Sequence, residues 1–144
     1  MSGVSNHYDS LVALKAMIEG LSLTGIANDS IQIREVPWRQ KNDPLPMIAI
    51  APIGVETTED ANNAEDGVGY PCAIVIYAKF TISLEQRLGW RQKIRRHLRN
   101  NSITNTRNYQ MLPLLFNITE QEEWRNEIWM SGLGVVFQFE EPRT

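Results

Sequence analysis

The chain has 144 residues, of which 42% are hydrophobic and 22% are charged, and its formal net charge at pH 7 is −3. This length suits one domain, residues 1–144, and the apolar content excludes an intrinsically disordered chain. No apolar run approaches the roughly 20 residues of a membrane helix, and the polar N-terminus predicts no signal peptide. The single cysteine, Cys72, excludes an internal disulfide framework and a multi-cysteine zinc site.

The N-terminal half of the sequence predicts one helix and two strands. Residues 8–21 carry apolar side chains at helical spacing. A short strand over residues 31–36 ends at Pro37, and the apolar run at 47–51 predicts a buried strand. The acidic segment 55–69 shows no apolar periodicity, so we expect a long, exposed and mobile hairpin loop there.

The C-terminal half predicts three strands and a second helix. Residues 70–82 alternate in the manner of a strand, and a helix over 84–99 follows the capping residue Ser83. The core face of this helix is predicted to consist of Leu84, Leu88, Ile94 and Leu98. Two further strands are expected at 111–118 and 128–139, joined by a charged connection. The element order α-β-β-β-α-β-β predicts an α+β fold, with a mostly antiparallel or mixed sheet of about five strands and both helices on one face.

The sequence contains none of the common catalytic or cofactor-binding motifs. There is no P-loop, GxGxxG, HExxH, GxSxG or CxxC pattern. Cys72 lies in the most apolar strand, where an inert buried thiol is the usual case. His97 stands among arginines and is expected to be exposed, and His7 lies in a terminal segment expected to fray. We therefore expect no catalytic, cofactor-binding or metal-binding residue.

Charge is segregated into two blocks of opposite sign. On the helix over 84–99, four arginines spaced four residues apart share one face, about 5–6 Å between neighbours: Arg87, Arg91, Arg95 and Arg99. The segment 55–69 carries five acids and no base: Glu56, Glu59, Asp60, Glu65 and Asp66. Two interpretations of these arginines stay open with similar weight. They form either a solvated helix surface or a docking face for carboxylates or phosphates. In a homo-oligomeric ring, the acidic segment of one copy would meet its neighbour's arginine helix head to tail.

The order and length of these elements resemble those of small tail-completion proteins of long-tailed phages, the tail terminator or head–tail joining family. The shared features are an amphipathic opening helix at 8–21, a strand pair at 47–52 and 70–82 joined by a long loop, and a mid-chain helix. The closing strand reads Gly-Leu-Gly-Val-Val-Phe-Gln-Phe, at 132–139.

The resemblance implies a structural, non-catalytic virion protein of the tail or neck. Such proteins form a hexameric ring on the last ring of the tail tube, stop its polymerisation and present a surface to the neck. The implied partners are further copies of the chain, the tail tube protein and the head–tail connector. DNA would pass through the lumen without being read, and no membrane is involved. The implied location is the virion, after assembly in the host cytoplasm.

Two other classes of function stay open. A nucleic-acid-binding module using the arginine-rich helix 84–99 would bind with an affinity that falls steeply with salt. The sequence pI of about 5.4 and the scarcity of interleaved aromatic residues disfavour it. An enzyme would need a pocket that holds His97 or the carboxylates. The resemblance carries no functional residues over to this chain. The interface residues assigned above rest on charge and expected exposure alone.

Overall fold

The computed structural model describes residues 5–40, 43–60, 64–101, 103–104, 110–117, 122–123 and 128–142. These residues form two α-helices, one short 3-10 helix (Asn28–Ser30) and eight strands in one mixed sheet. The helices are α1 (Asn6–Gly20) and α2 (Leu84–Asn100). The strands are β1 (Ile31–Ile33), β2 (Met47–Pro52), β3 (Thr57–Asp60), β4 (Glu65–Lys79), β5 (Ile103–Thr104), β6 (Gln110–Asn117), β7 (Glu122–Glu123) and β8 (Ile128–Pro142).

The sheet is built around two long central strands. The strand order is β1-β2-β4-β8-β6-β5, with β3 paired to β4 and β7 paired to β8. Strands β4 and β8, of 15 residues each, pair antiparallel along their whole length, from Glu65 opposite Pro142 to Lys79 opposite Ile128. Only β1 and β2 pair in parallel among the described strands. The predicted α+β class with a mixed sheet is confirmed, and the short strands β3, β5 and β7 add to the five that were predicted.

Both helices pack on one face of the sheet, here called the helix face. Since side chains alternate along a strand, every second residue of β4 from position 72 to 78 faces the helices, as the alternation predicted. The main core cluster contains these strand residues together with buried side chains of both helices. The helix residues include Leu14 and Ile18 of α1 and Trp90, Ile94 and Leu98 of α2. The prediction that the helices share one face is therefore confirmed.

The opposite side of the sheet, here called the open face, carries a smaller core cluster. It consists of Met47, Ala49, Val75, Tyr77 and Met130. The segment that follows β1 packs over it, because the Tyr77 hydroxyl donates to the Pro37 carbonyl at 2.6 Å. An ion pair holds that segment together, with Arg34 donating to both carboxylate oxygens of Asp43 at 2.5 and 2.8 Å. These hydrogen bonds hold the pKa of Asp43 below its ordinary value.

The expectation of a long loop over residues 55–69 is wrong in its secondary structure. Strand β3 pairs antiparallel with the start of β4, from Thr57 opposite Gly69 to Asp60 opposite Asp66. Backbone pairing does not require apolar side chains, and β8 already supports the other edge of β4. The Thr57 side chain also packs directly over Gly69, since a Cβ added at Gly69 would lie 2.5 Å from Thr57 Oγ1. We call residues 57–60 and 65–69 the acidic hairpin. The predicted charged connection over 119–127 lies outside the described residues, apart from β7.

The predicted core face of α2 is confirmed at Ile94 and Leu98, which are buried, and is wrong at Leu84 and Leu88. Ser83 caps the helix as predicted, with its hydroxyl accepting from the Gln86 amide. However, Leu84 and Leu88 are 55% and 48% exposed, whereas Arg87 is only 6% exposed. Trp90, Ile94 and Leu98 recur every four residues and set the buried stripe, and this stripe continues back to Arg87 rather than to Leu88.

Candidate interaction surfaces

The four arginines predicted to form one exposed face have different roles. Arg87 is buried: its Nε donates to the Ile82 carbonyl at 2.9 Å. Its guanidinium lies 5.2 Å from the ring centroid of Phe80 and 5.3 Å from that of Trp129, within the range of cation–π attraction. The side chain therefore joins α2 to the sheet, and the expectation that Arg87 belongs to an exposed basic face is corrected.

Arg91 also points toward the sheet. Its Nη1 donates to the Gly132 carbonyl at 2.9 Å and to the Ser131 hydroxyl, both on β8. The side chain is half-buried, and hydrogen bonds from a charged donor are among the stronger ones in proteins. Arg91 therefore positions the helix on the sheet. The expectation that Arg91 belongs to a docking face is corrected.

Arg95 and Arg99 are exposed, as predicted. With 3.6 residues per turn, they lie within about 60° of arc of the exposed Leu84 and Leu88. We call these four residues the outer face of α2. This face is apolar at the N-terminal half of the helix and positively charged at the C-terminal half.

The five predicted acids divide between the two sides of the sheet. Glu59 lies opposite Gly67, which in turn lies opposite Glu140 of β8. The alternation along β4 places this row, together with Glu65, on the open face. Glu59 and Glu140 are both exposed. The open face is therefore negatively charged at the tip of the acidic hairpin.

Asp60 and Asp66 pair with each other across the hairpin, so both project to the helix face. Glu141 of β8 lies on this same side, and its carboxylate accepts from Tyr70 Oη at 2.8 Å and from Asn6 Nδ2 at 2.5 Å. Burial and this carboxylate raise the pKa of Tyr70 above its ordinary value. The acids on the helix face therefore lie near the start of α1, away from Glu59.

His7 connects α1 to the fifth predicted acid, Glu56. Its Nδ1 lies 2.8 Å from Glu56 Oε1, and its Nε2 lies 3.0 Å from the Pro71 carbonyl oxygen. The imidazole stacks on Tyr70, with ring centroids 5.0 Å apart. The expectation that His7 frays is wrong, because contacts with distant strands hold the ring. Since these partners lie far away in the sequence, no local pattern around His7 could have indicated them.

A groove of about 500 Å³ opens on the open face, and the sequence analysis missed it. Its floor includes Ala73, Val75 and Gly132, and its walls include Val36 and Trp38. These two wall residues are 52% and 60% exposed. Exposed large apolar side chains around a concavity commonly mark an interaction site. The tryptophan in an otherwise polar loop was the available sequence signal.

The residues considered for metal binding or catalysis, Cys72 and His97, are buried and half-buried respectively. Within the described part of the chain, no group of three or more His, Cys, Asp or Glu side chains is placed to hold a metal ion. The prediction of a buried thiol is confirmed, because Cys72 is fully buried and burial raises its pKa to about 12. His97 is half-buried on α2, rather than exposed as predicted. No helix among the described residues is long and apolar enough to cross a membrane.

Comparison with known proteins supports the fold. No protein-family model matches the chain, and no curated protein matches it. Among solved structures, the chain is similar to a chain from the virion of a native gene transfer agent particle. The two share 12% sequence identity with a TM-score of 0.57, and the match covers 94% of this chain and 92% of the other. At this identity the likeness shows a common fold.

Proposed function

We propose that this chain is a structural, non-catalytic virion protein of a phage tail or neck, a tail terminator or tail-completion protein. It forms a ring, expected to be hexameric, that caps the tail tube and joins it to the head connector. DNA passes through the lumen of this ring without sequence readout. The observation that carries the proposal is the fold shared with a virion component over almost the full length of both chains.

The distribution of charge supports assembly into a ring. The outer face of α2 is positive at one end, and the open face of the sheet is negative at the hairpin tip. These are different surfaces on opposite sides of the domain. A contact between unlike surfaces is head to tail, and it closes into a ring when the rotation between subunits permits.

Electron microscopy of the purified full chain, alone and mixed with tail tubes, tests this function. We expect closed rings of about six copies and density at one end of each tube. Tubes assembled without the chain should lack this density and grow to uncontrolled lengths. A chain that stays monomeric, leaves tube ends bare and does not change tube length would refute the proposal.

Nucleic-acid binding is the second candidate, because α2 exposes four cationic side chains, which are Lys93, Arg95, Arg96 and Arg99. Fluorescence anisotropy with single-stranded and duplex DNA separates this function from ring assembly. A binding module would show an affinity that falls steeply with rising salt, because the release of DNA counterions on binding is less favourable at higher salt. The absence of binding at low salt would remove this candidate.

A further inference from the structure

Two apolar surfaces remain exposed on opposite sides of the domain. On the side of the helices, Leu84 and Leu88 of α2 are 55% and 48% exposed. On the open face, Val36 and Trp38 form exposed walls of the groove. The sheet lies between the two surfaces, so they cannot meet within one chain. Two copies of the chain can bring them together.

We infer that the open face of the sheet seats the outer face of α2 from a neighbouring copy. Leu84 and Leu88 enter the groove beside Trp38, while Arg95 and Arg99 lie over the acidic hairpin. The inference rests on the proposed ring and identifies its subunit contact. It replaces the expected contact between a full arginine stripe and a mobile acidic loop.

The charges on the two surfaces are complementary in position as well as in sign. On α2 the leucine pair and the arginine pair are centred eleven residues apart, which is about 16 Å at 1.5 Å per residue. On the sheet, Ala73 in the groove floor and Gly67 are six positions apart on β4, which is about 20 Å at 3.3 Å per residue. Glu59 and Glu140 flank Gly67 on the neighbouring strands. The length of the arginine side chains spans the remaining difference.

One orientation of the helix satisfies both kinds of contact. With the N-terminal half of α2 over the groove, the arginines reach the glutamates. In the reverse orientation, Leu84 and Leu88 would lie over the exposed Glu59 and Glu140, and the two arginines would occupy a groove whose lining, apart from Glu35, is largely apolar. The surfaces therefore specify a direction as well as a contact. A directed contact between unlike surfaces repeats from one copy to the next.

Paired disruption of the two surfaces tests the inference. Leu88→Asp disrupts the outer face of α2 and leaves the groove intact. Trp38→Asp disrupts the groove and leaves the outer face of α2 intact. Each side chain is exposed in the monomer, so we expect folded proteins by circular dichroism. Sedimentation velocity should show self-association weakened by about tenfold or more in each variant, as for a central interface residue. Tyr8→Asp is the matched control, because Tyr8 is 55% exposed but lies on α1, and it should assemble as the wild type does.

Mixing the two variants gives a sharper result. The intact helix of Trp38→Asp fits the intact groove of Leu88→Asp, and neither remaining surface can bind a third copy. We therefore expect discrete dimers in the mixture and monomers in each separate solution. Monomers in the mixture would overturn the inference. Rings that persist in both variants would overturn it as well, but would leave the proposed function standing. A monomeric wild type would overturn the inference, and it would refute the proposed function as well if tube ends stay bare and tube length is unchanged.

A cross-linking experiment gives the same answer without charge insertion. In the double variant Leu88→Cys and Trp38→Cys, mild oxidation should produce a ladder of covalent oligomers, because each chain carries both halves of the contact. The native Cys72 is fully buried and should not take part. The control, Leu88→Cys with Tyr8→Cys, should give no ladder. Equal cross-linking in the two double-cysteine variants would contradict the proposed contact between α2 and the groove.

Discussion

Arg87 offers the most direct test of how α2 is attached to the sheet. A solvated charge on a helix surface can be truncated at little cost, within about 0.5 kcal/mol. Arg87 is instead 6% exposed, donates to the Ile82 carbonyl and lies over two aromatic rings. Truncation would remove all of these contacts at once. The Ile82 carbonyl would also lose this donor.

The contacts allow an estimate of the loss. A hydrogen bond from a charged donor contributes about 1.5–3 kcal/mol, and each cation–π contact adds about 0.5–2 kcal/mol, depending on desolvation. The cost of removing the guanidinium from water opposes these gains. We therefore expect Arg87→Ala to lower the free energy of unfolding by about 2–3 kcal/mol.

Urea denaturation followed by circular dichroism measures this free energy, at concentrations where the chain is monomeric. Arg95→Ala is the matched control, because Arg95 is on the same helix and is exposed. Arg87→Lys keeps the charge but loses the planar group that lies over Phe80 and Trp129, so an intermediate loss is expected. Equal stability of Arg87→Ala and Arg95→Ala would refute the structural role of Arg87.

Three further predictions follow from contacts outside α2. Asp43→Asn should destabilise the protein at pH 7. Because Arg34 lowers the folded pKa of Asp43, the stabilisation by this carboxylate is present above the unfolded pKa of about 4 and is lost as pH falls through the folded pKa. The melting temperatures of the wild type and of Asp43→Asn should therefore converge in acid. His7→Ala should lower stability by about 1–2 kcal/mol through lost stacking on Tyr70 and lost hydrogen bonds, and hydrogen exchange should accelerate in β3; unchanged exchange would count against this link. Cys72 should react with a thiol reagent only as fast as the protein unfolds, and rapid labelling of the native chain would contradict its burial.

The sequence predicted where the helices and strands lie more successfully than which face of α2 is buried. The alternation in β4 and the capping residue of α2 are local signals, and both were interpreted correctly. The face that α2 buries depends on Phe80 and Trp129, which accept an arginine where a leucine was expected. Hydrophobic periodicity treats arginine as polar, although its long apolar stem and flat guanidinium can be buried against aromatic rings. The error at Arg87 follows from that treatment.

The acidic hairpin shows a different kind of limit. Its residues carry no apolar periodicity because Val68, which is 5% exposed, is the one apolar side chain among polar residues and glycines. Its order comes from backbone pairing with a long central strand, and strand pairing between distant segments leaves little trace in a single sequence. The same holds for the groove, whose floor and walls come from β4, β8, the end of β2 with the residues after it, and the segment after β1. Sequence reasoning could identify the charges but could not place them on two sides of a sheet.

The arginine stripe divides between two roles, of which the sequence indicated only the exposed one. Arg87 and Arg91 hold α2 on the sheet through β8 and its neighbours, whereas Arg95 and Arg99 are available to a partner. Reversing the charge of Arg91 would therefore disturb the docking of the helix, and lost assembly could then result from lost structure. Reversal at Arg95 and Arg99 changes the partner surface alone. Compensating reversal at Glu59 and Glu140 in the same chain should restore head-to-tail assembly, because both sides of every contact then carry exchanged charges.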